Sequence, residues 1–206
     1  MTAALSRPLL LVGCGKMGSA LLSGWRDGGI ASAGVYIVEP AGPSGVEPAT
    51  GAHRVARAED LPARLDPEVV VFAVKPQQMA EVAPHYRRFA KAGTLFLSIA
   101  AGTPIRFFED RLGKEAAIVR AMPNTPAAIG QGITVACPNR RATAAQADLA
   151  RALLQAVGEA VIVEDEALLD PVTALSGSGP AYVFLLIEAM ADAGAAAGLS
   201  RDLAAR

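Results

Sequence analysis

The chain has 206 residues, 52% of them hydrophobic, and its 19 basic and 20 acidic side chains leave a net charge of −1. That is one to two domains at about 150 residues each, and it is too apolar for a disordered chain. With the signs mixed along the sequence, no basic face is left for a phosphodiester backbone, so nucleic acid is not an expected partner. The longest uninterrupted apolar run, 181–187, is far short of the about 20 residues that cross a bilayer, and residues 1–8 lack the order of a signal peptide; the expectation is a soluble, cytoplasmic protein with no membrane partner.

The first predicted element is a strand over 9–12, followed by glycines and then by 19–25, spaced like one face of a helix. A second β-branched run covers 35–38, and 42–51 carries the Pro, Gly and Ser of a connecting loop. A third strand is predicted at 69–74, a helix at 78–89, a strand at 94–99, a helix at 104–112, and strands at 117–121 and 132–136. Strands alternating with helices predict a parallel sheet covered on both faces. After the break at 138–141 come a helix over 142–157 and one more strand at 160–163. From residue 165 the pattern is helical throughout: 166–175 and 181–197 read as two helices separated by Ser176-Gly-Ser-Gly-Pro180, with Gly198 as a stop. The helix from 181 is apolar nearly all round, with small residues at Ala189, Ala193, Gly194 and Ala197, so it should be buried between other helices. Ser200 looks like an N-cap, yet only six residues follow it, fewer than the about 12 at which a helix is marginal in water, which suggests a chain truncated at its C-terminus. The fold expected is α/β, a mostly parallel Rossmann-type domain over 1–164 followed by the start of a helical domain over 165–206.

Gly13-Cys-Gly-Lys-Met-Gly18 is a G-x-G-x-x-G run between a strand and a helix, the context a dinucleotide fingerprint requires. Gly13 permits the tight turn, Gly15 lets the backbone approach a pyrophosphate, Gly18 lets the helix pack on the sheet, and the helix start supplies positive potential. An ordinary glycine-rich turn has the same sequence. Cys14 is read as a small residue filling that turn. Glu39 falls about 20 residues further on, at the end of the second strand, where a carboxylate accepts hydrogen bonds from the adenosine ribose and repels a 2′-phosphate, so NADH is expected to be preferred over NADPH. A solvated acid at a strand end is the alternative. Ala73-Val-Lys-Pro76 and the turn Ala100-Ala101-Gly102 follow the next two strands at their carboxyl ends, along the crevice where open α/β sheets bind ligands. Lys75 is equally readable as a surface charge, and Asn124, in the turn Met122-Pro-Asn124, as a residue that only bridges backbone. Ser176-Gly-Ser-Gly-Pro180 is read as a close-packed hinge between the two domains. Cys14 and Cys137 are too few for a disulfide framework or thiolate site, His53 and His85 stand alone, and neither a metal site nor a general base is visible.

Gly13 to Gly18, Ala73 to Pro76, Ser98 to Gly102, Met122 to Asn124 and Leu175-Ser-Gly-Ser-Gly-Pro-Ala-Tyr182 together resemble the pyrroline-5-carboxylate reductase family, in that order and over the whole chain. The resemblance implies a Rossmann domain with a helical dimerisation domain, a homodimer or dimer-based oligomer, and reduction of 1-pyrroline-5-carboxylate to L-proline with NADPH or NADH, the last step of proline biosynthesis. It places cofactor contacts on Val12, Gly13, Cys14, Gly15, Lys16, Met17, Glu39, Ala73, Val74, Lys75, Pro76 and Ala101. It implies further helices and a substrate-binding Ser-Pro-Gly-Gly-Thr-Thr segment that these 206 residues do not contain, and so little turnover by this chain and no assignable catalytic residue. Two other readings share the fold: another reductase of the 6-phosphogluconate or β-hydroxyacid dehydrogenase kind, and a catalytically silent nucleotide-binding protein.

Overall fold

The computed structural model describes residues 5–41 and 52–206; the loop expected at 42–51 lies outside the described residues. Eight strands form one sheet: β1 (Leu9–Val12), β2 (Val35–Val38), β3 (Ala52–Val55), β4 (Val69–Phe72), β5 (Leu95–Ser98), β6 (Ala117–Met122), β7 (Gly132–Pro138) and β8 (Gly158–Ile162). Their order across the sheet is β3-β2-β1-β4-β5-β6-β7-β8. The central strands β1, β4 and β5 are buried at every residue, as their continuous apolar runs require when a parallel sheet is covered on both faces.

One face carries α1 (Lys16–Asp27) and α4 (Ala144–Gln155). Leu21, Leu22 and Trp25 of α1 turn inward, and the Trp25 indole donates to the Leu153 carbonyl of α4 at 2.8 Å. Thr143 caps α4 reciprocally with Gln146. The other face carries α3 (Ile105–Leu112), the single turn α2 (Met79–Val82) and the 3₁₀ segment that follows it. The core there is aromatic, with Phe72 in ring contact with Tyr86, Phe96 and Phe108.

Four expectations are corrected. The helix expected over 78–89 is a chain of short turns, 3₁₀ at Pro76–Gln78, α2, and 3₁₀ again at Ala83–Phe89, because Pro84 has no N–H to continue the helical ladder. The sheet is not wholly parallel: β7 runs antiparallel to β6, with only a short 3₁₀ turn between them, and a parallel return needs a crossover of a dozen residues or more. The two helices expected around Ser176–Pro180 are one helical rod, Glu166–Ala196. It starts as a 3₁₀ turn, continues through α5 (Leu169–Val172), widens into a π-helical turn at Thr173–Gly177 and proceeds as α6 (Gly179–Ala196). Being continuous, the rod is long and apolar enough to cross a membrane by length and composition, against what the 181–187 run alone indicated; a helix that faces another subunit meets the same criterion.

The rod is held to the sheet domain only near its start. Leu169 is fully buried in the core beside α3, and the thiol of the buried Cys137 donates to the Glu164 carbonyl just before the rod. Gly177 rests on Met122, where a β-carbon would come 2.5 Å from the Met122 methyl, while nothing lies within 4 Å of Gly179; the close packing expected of this stretch is found at Gly177, but within a continuous helix and not at a hinge. No residue of α6 is buried. A last turn, α7 (Arg201–Ala204), is capped by the Ser200 hydroxyl, which accepts from the Leu203 N–H at 3.3 Å.

Candidate dinucleotide site

After β1 the chain moves outward to β2 and β3, then returns across β1 to β4, so the strand order reverses between β1 and β4. At the carboxyl ends of such strands an open α/β sheet leaves a crevice. Here it is a cleft of about 580 Å³. Val12, Gly13, Gly15, Glu39, Ala73, Val74 and Lys75 line it.

The turn between β1 and α1 depends on its glycines. Gly13 has φ +88°, and a β-carbon there would fall 2.7 Å from the Val74 side chain and 2.8 Å from the Ala73 carbonyl. A β-carbon on Gly18 would meet the Gly13 carbonyl at 2.7 Å. Gly15 is different: nothing lies within 4 Å of where its β-carbon would be. Two of the glycines are therefore required by the fold, whereas Gly15 faces open space at the start of α1, where unpaired N–H groups favour an anion. Cys14 fills the turn as expected; it is buried, with its sulfur 3.5 Å from the Ser19 hydroxyl.

Glu39 reaches back into this turn. One carboxylate oxygen accepts from the Cys14 N–H at 2.7 Å and the other from the Ala41 N–H at 3.1 Å. The carboxylate is thereby fixed at the lip of the cleft, with oxygen lone pairs left for further donors. Lys16 and Met17 form the first turn of α1, and Lys75 and Pro76 are exposed where β4 gives way to a 3₁₀ turn.

Ala100, Ala101, Gly102 and Asn124 do not line this cleft. The first three form the turn after β5, and the Asn124 side-chain oxygen accepts from the Ile133 N–H at 2.9 Å, closing the β6–β7 turn. The far wall is made of residues not anticipated from the sequence, including Arg57, Glu59, Gln78, His85 and Tyr86. The imidazole of His85 lies 3.1 Å from the Glu59 carboxylate, and burial pushes the Tyr86 phenol up. His53 stacks on Tyr36. A larger concavity of about 1150 Å³ lies between α1, the 125–130 turn and α4. Ala and Gly line much of it, and it holds none of the motif residues, so the smaller cleft is the chemically equipped one.

A doubly wound sheet whose first crossover turn combines a left-handed glycine, an open glycine and a fixed carboxylate has the form of a Rossmann-type dinucleotide-binding domain. Residues 9–102 match the family model described as NADP oxidoreductase coenzyme F420-dependent, and 166–206 match that of pyrroline-5-carboxylate reductase dimerisation. The chain is 42% identical over 199 residues to a pyrroline-5-carboxylate reductase of Pseudomonas aeruginosa, covering 96% of this chain and 72% of that relative. A reductase of the same name from Pisum sativum is 35% identical, covering 97% of this chain and 72% of the relative. Among solved structures, pyrroline carboxylate reductase of Plasmodium falciparum with NADP bound superposes with a TM-score of 0.84 at 30% identity, covering 98% of this chain and 74% of that one. The chain belongs to the pyrroline-5-carboxylate reductase family.

Proposed function

We propose that this protein is an NAD(P)H-dependent reductase of 1-pyrroline-5-carboxylate, forming L-proline in the cytoplasm as a homodimer or dimer-based oligomer. The observation that carries the reading is the β1–α1 turn, where Gly15 alone of the three fingerprint glycines opens onto empty space beside a fixed carboxylate. Gly13, Gly15 and the first turn of α1, with Lys16 and Met17, would hold the pyrophosphate. Glu39 would receive the adenosine ribose, and Ala73 to Pro76 and Ala100 to Gly102 would border the nicotinamide half. When bound, the reduced nicotinamide supplies the hydride for the C=N bond; the ring nitrogen takes a proton, and proline and the oxidised cofactor result. Among the described residues the acid–base pair lining the cleft is His85 with Glu59 on its far wall, and in this reading the protein's contribution is placement of a protonated imine against the cofactor.

The exposed apolar surface of α6, with Val183, Phe184, Leu186 and Ile187 all more than half exposed, supports assembly through this helix. The test is direct. Calorimetry should show binding of NADPH or NADH, and any cofactor oxidation with 1-pyrroline-5-carboxylate should be accompanied by equimolar proline. Failure to bind either cofactor would remove the reading.

A further inference from the structure

The first turn of α3 lacks a cap of its own. Pro104 occupies the N-cap position and has no side-chain acceptor for the orphan N–H groups of a helix start. The acceptor comes instead from 61 residues further along the chain: Glu166 Oε1 receives the Ile105 N–H at 2.7 Å. The same oxygen receives Arg120 Nη1 at 3.0 Å, while Arg120 Nη2 reaches Asp170 at 3.2 Å. The Arg120 side chain is only 7% exposed, whereas that of Asp170 is 78% exposed, so Glu166 is the partner that compensates a buried guanidinium. Arg120 is also the register partner of Ser98, whose hydroxyl accepts from the Ala100 N–H at 3.2 Å. The end of β5, the turn at 100–104, the start of α3, the end of β6 and the first residue of the rod therefore meet at one carboxylate.

We propose that Glu166 is a positioning residue for the cofactor: by capping α3 from outside, it holds the Ala100–Gly102 turn in the arrangement that receives the nicotinamide half. The inference rests on the reading of that turn as a cofactor contact. Glu166 opens the stretch that matches the dimerisation model, so on this reading the helical domain helps set the turn that borders the nicotinamide half, beyond the cleft itself, through a residue outside the contact. Without the tether the turn samples other arrangements, and apparent affinity falls by the fraction of time it is misplaced.

The experiment compares Glu166→Ala, Glu166→Gln and Asp170→Asn in the 206-residue chain by NADPH titration, at a temperature where circular dichroism shows each folded, together with amide hydrogen exchange at Ile105. Asp170→Asn removes the other carboxylate from Arg120 but leaves the cap on α3, which separates positioning from general loss of an ion pair. Glu166→Ala should raise the NADPH dissociation constant roughly five- to tenfold and expose the Ile105 amide to exchange. Glu166→Gln, which keeps a neutral acceptor, should stay within about threefold of the parent, and Asp170→Asn within about twofold. Unchanged binding by Glu166→Ala, or an equal loss in Asp170→Asn, overturns the proposal. So does an Ile105 amide in the parent that exchanges as fast as an unprotected one, a measurement that stands even if Glu166→Ala does not fold. Absence of NADPH and NADH binding by the parent overturns the cofactor reading itself.

Discussion

Trp25 and Phe184 are both aromatic residues on helices, yet Trp25 is fully buried and Phe184 is 53% exposed. The two helices differ in what they lie against. α1 has one apolar stripe and one sheet face to receive it, so its sequence and its surroundings match. α6 is apolar around most of its circumference, Glu188 and Asp192 excepted, and one sheet face covers only one side of a helix. Only the beginning of the rod, at Leu169, Glu166 and Gly177, is fitted to the domain that carries it. Hydrophobicity in α1 specifies the fold of this chain; the same property in α6 is left facing outward.

The largest effect expected from this contrast is at Trp25. Trp25→Ala empties a buried site and leaves the Leu153 carbonyl without its donor, which should lower unfolding free energy by about 3–5 kcal/mol, read as a fall in the denaturant midpoint. A loss under about 1 kcal/mol would show that the α1–α4 contact is not part of the cooperative core. Gly15→Val is expected to act on function alone. Its side chain enters open space, so stability should change by less than about 0.5 kcal/mol, while NADPH affinity falls at least about tenfold by calorimetry. Equal binding by parent and variant would remove the pyrophosphate from this turn.

A smaller effect is expected at Glu68, which holds the entry to β1. Burial pushes its carboxyl up, but the N–H groups of Arg7 and Ser6 and the Ser6 hydroxyl outweigh that and hold it below the usual carboxylate range. A group lowered in the folded state contributes stability that is present above its unfolded value of about 4.3 and is lost as pH falls through the folded value. Glu68→Gln should therefore cost about 0.5–1.5 kcal/mol at pH 7, and the gap to the parent should close below about pH 4. A gap that stays constant down to pH 3 would show that the carboxylate charge is not what holds the segment. The smallest effect is that of Phe184→Ala, within about 0.5 kcal/mol of the parent for the dilute chain. A core-sized loss would mean that α6 is packed against this chain after all.

The elements that sequence reading located are those whose burial leaves a pattern. Strands β1, β4 and β5 sit in continuous apolar runs, and the reading overshot their ends by no more than two residues. β3 passed unnoticed because Ala-His-Arg-Val at a sheet edge needs neither face fully apolar. The reversal at β7 did have a signal, since the connection from β6 is too short for a parallel crossover. Continuity through Ser176–Pro180 had none, because glycines that permit a hinge also permit the close approach to Met122. The same holds for the site. Gly13, Gly15, Glu39 and Lys75 follow strand ends and could be placed by topology, whereas Arg57, Gln78, His85 and Tyr86 reach the cleft only because the chain returns to it from β3 and from the broken turns after β4. Their positions are tertiary facts with no local motif.

The π-helical turn at Thr173–Gly177 sets the phase of everything beyond it. The wide turn takes up one residue more than an α-helical turn, so the side chains beyond it sit about 100° behind where an unbroken α-helix would put them. The bearing of α6 about its own axis, and hence which stripe of apolar side chains it presents outward, is thus decided within five residues lodged against Met122. Deleting Ala174 would let that turn close as ordinary α-helix and leave the bearing of α6 nearly unchanged, whereas a residue inserted after Gly179 would meet no wide turn to absorb it and would rotate the rest of α6 by about 100°.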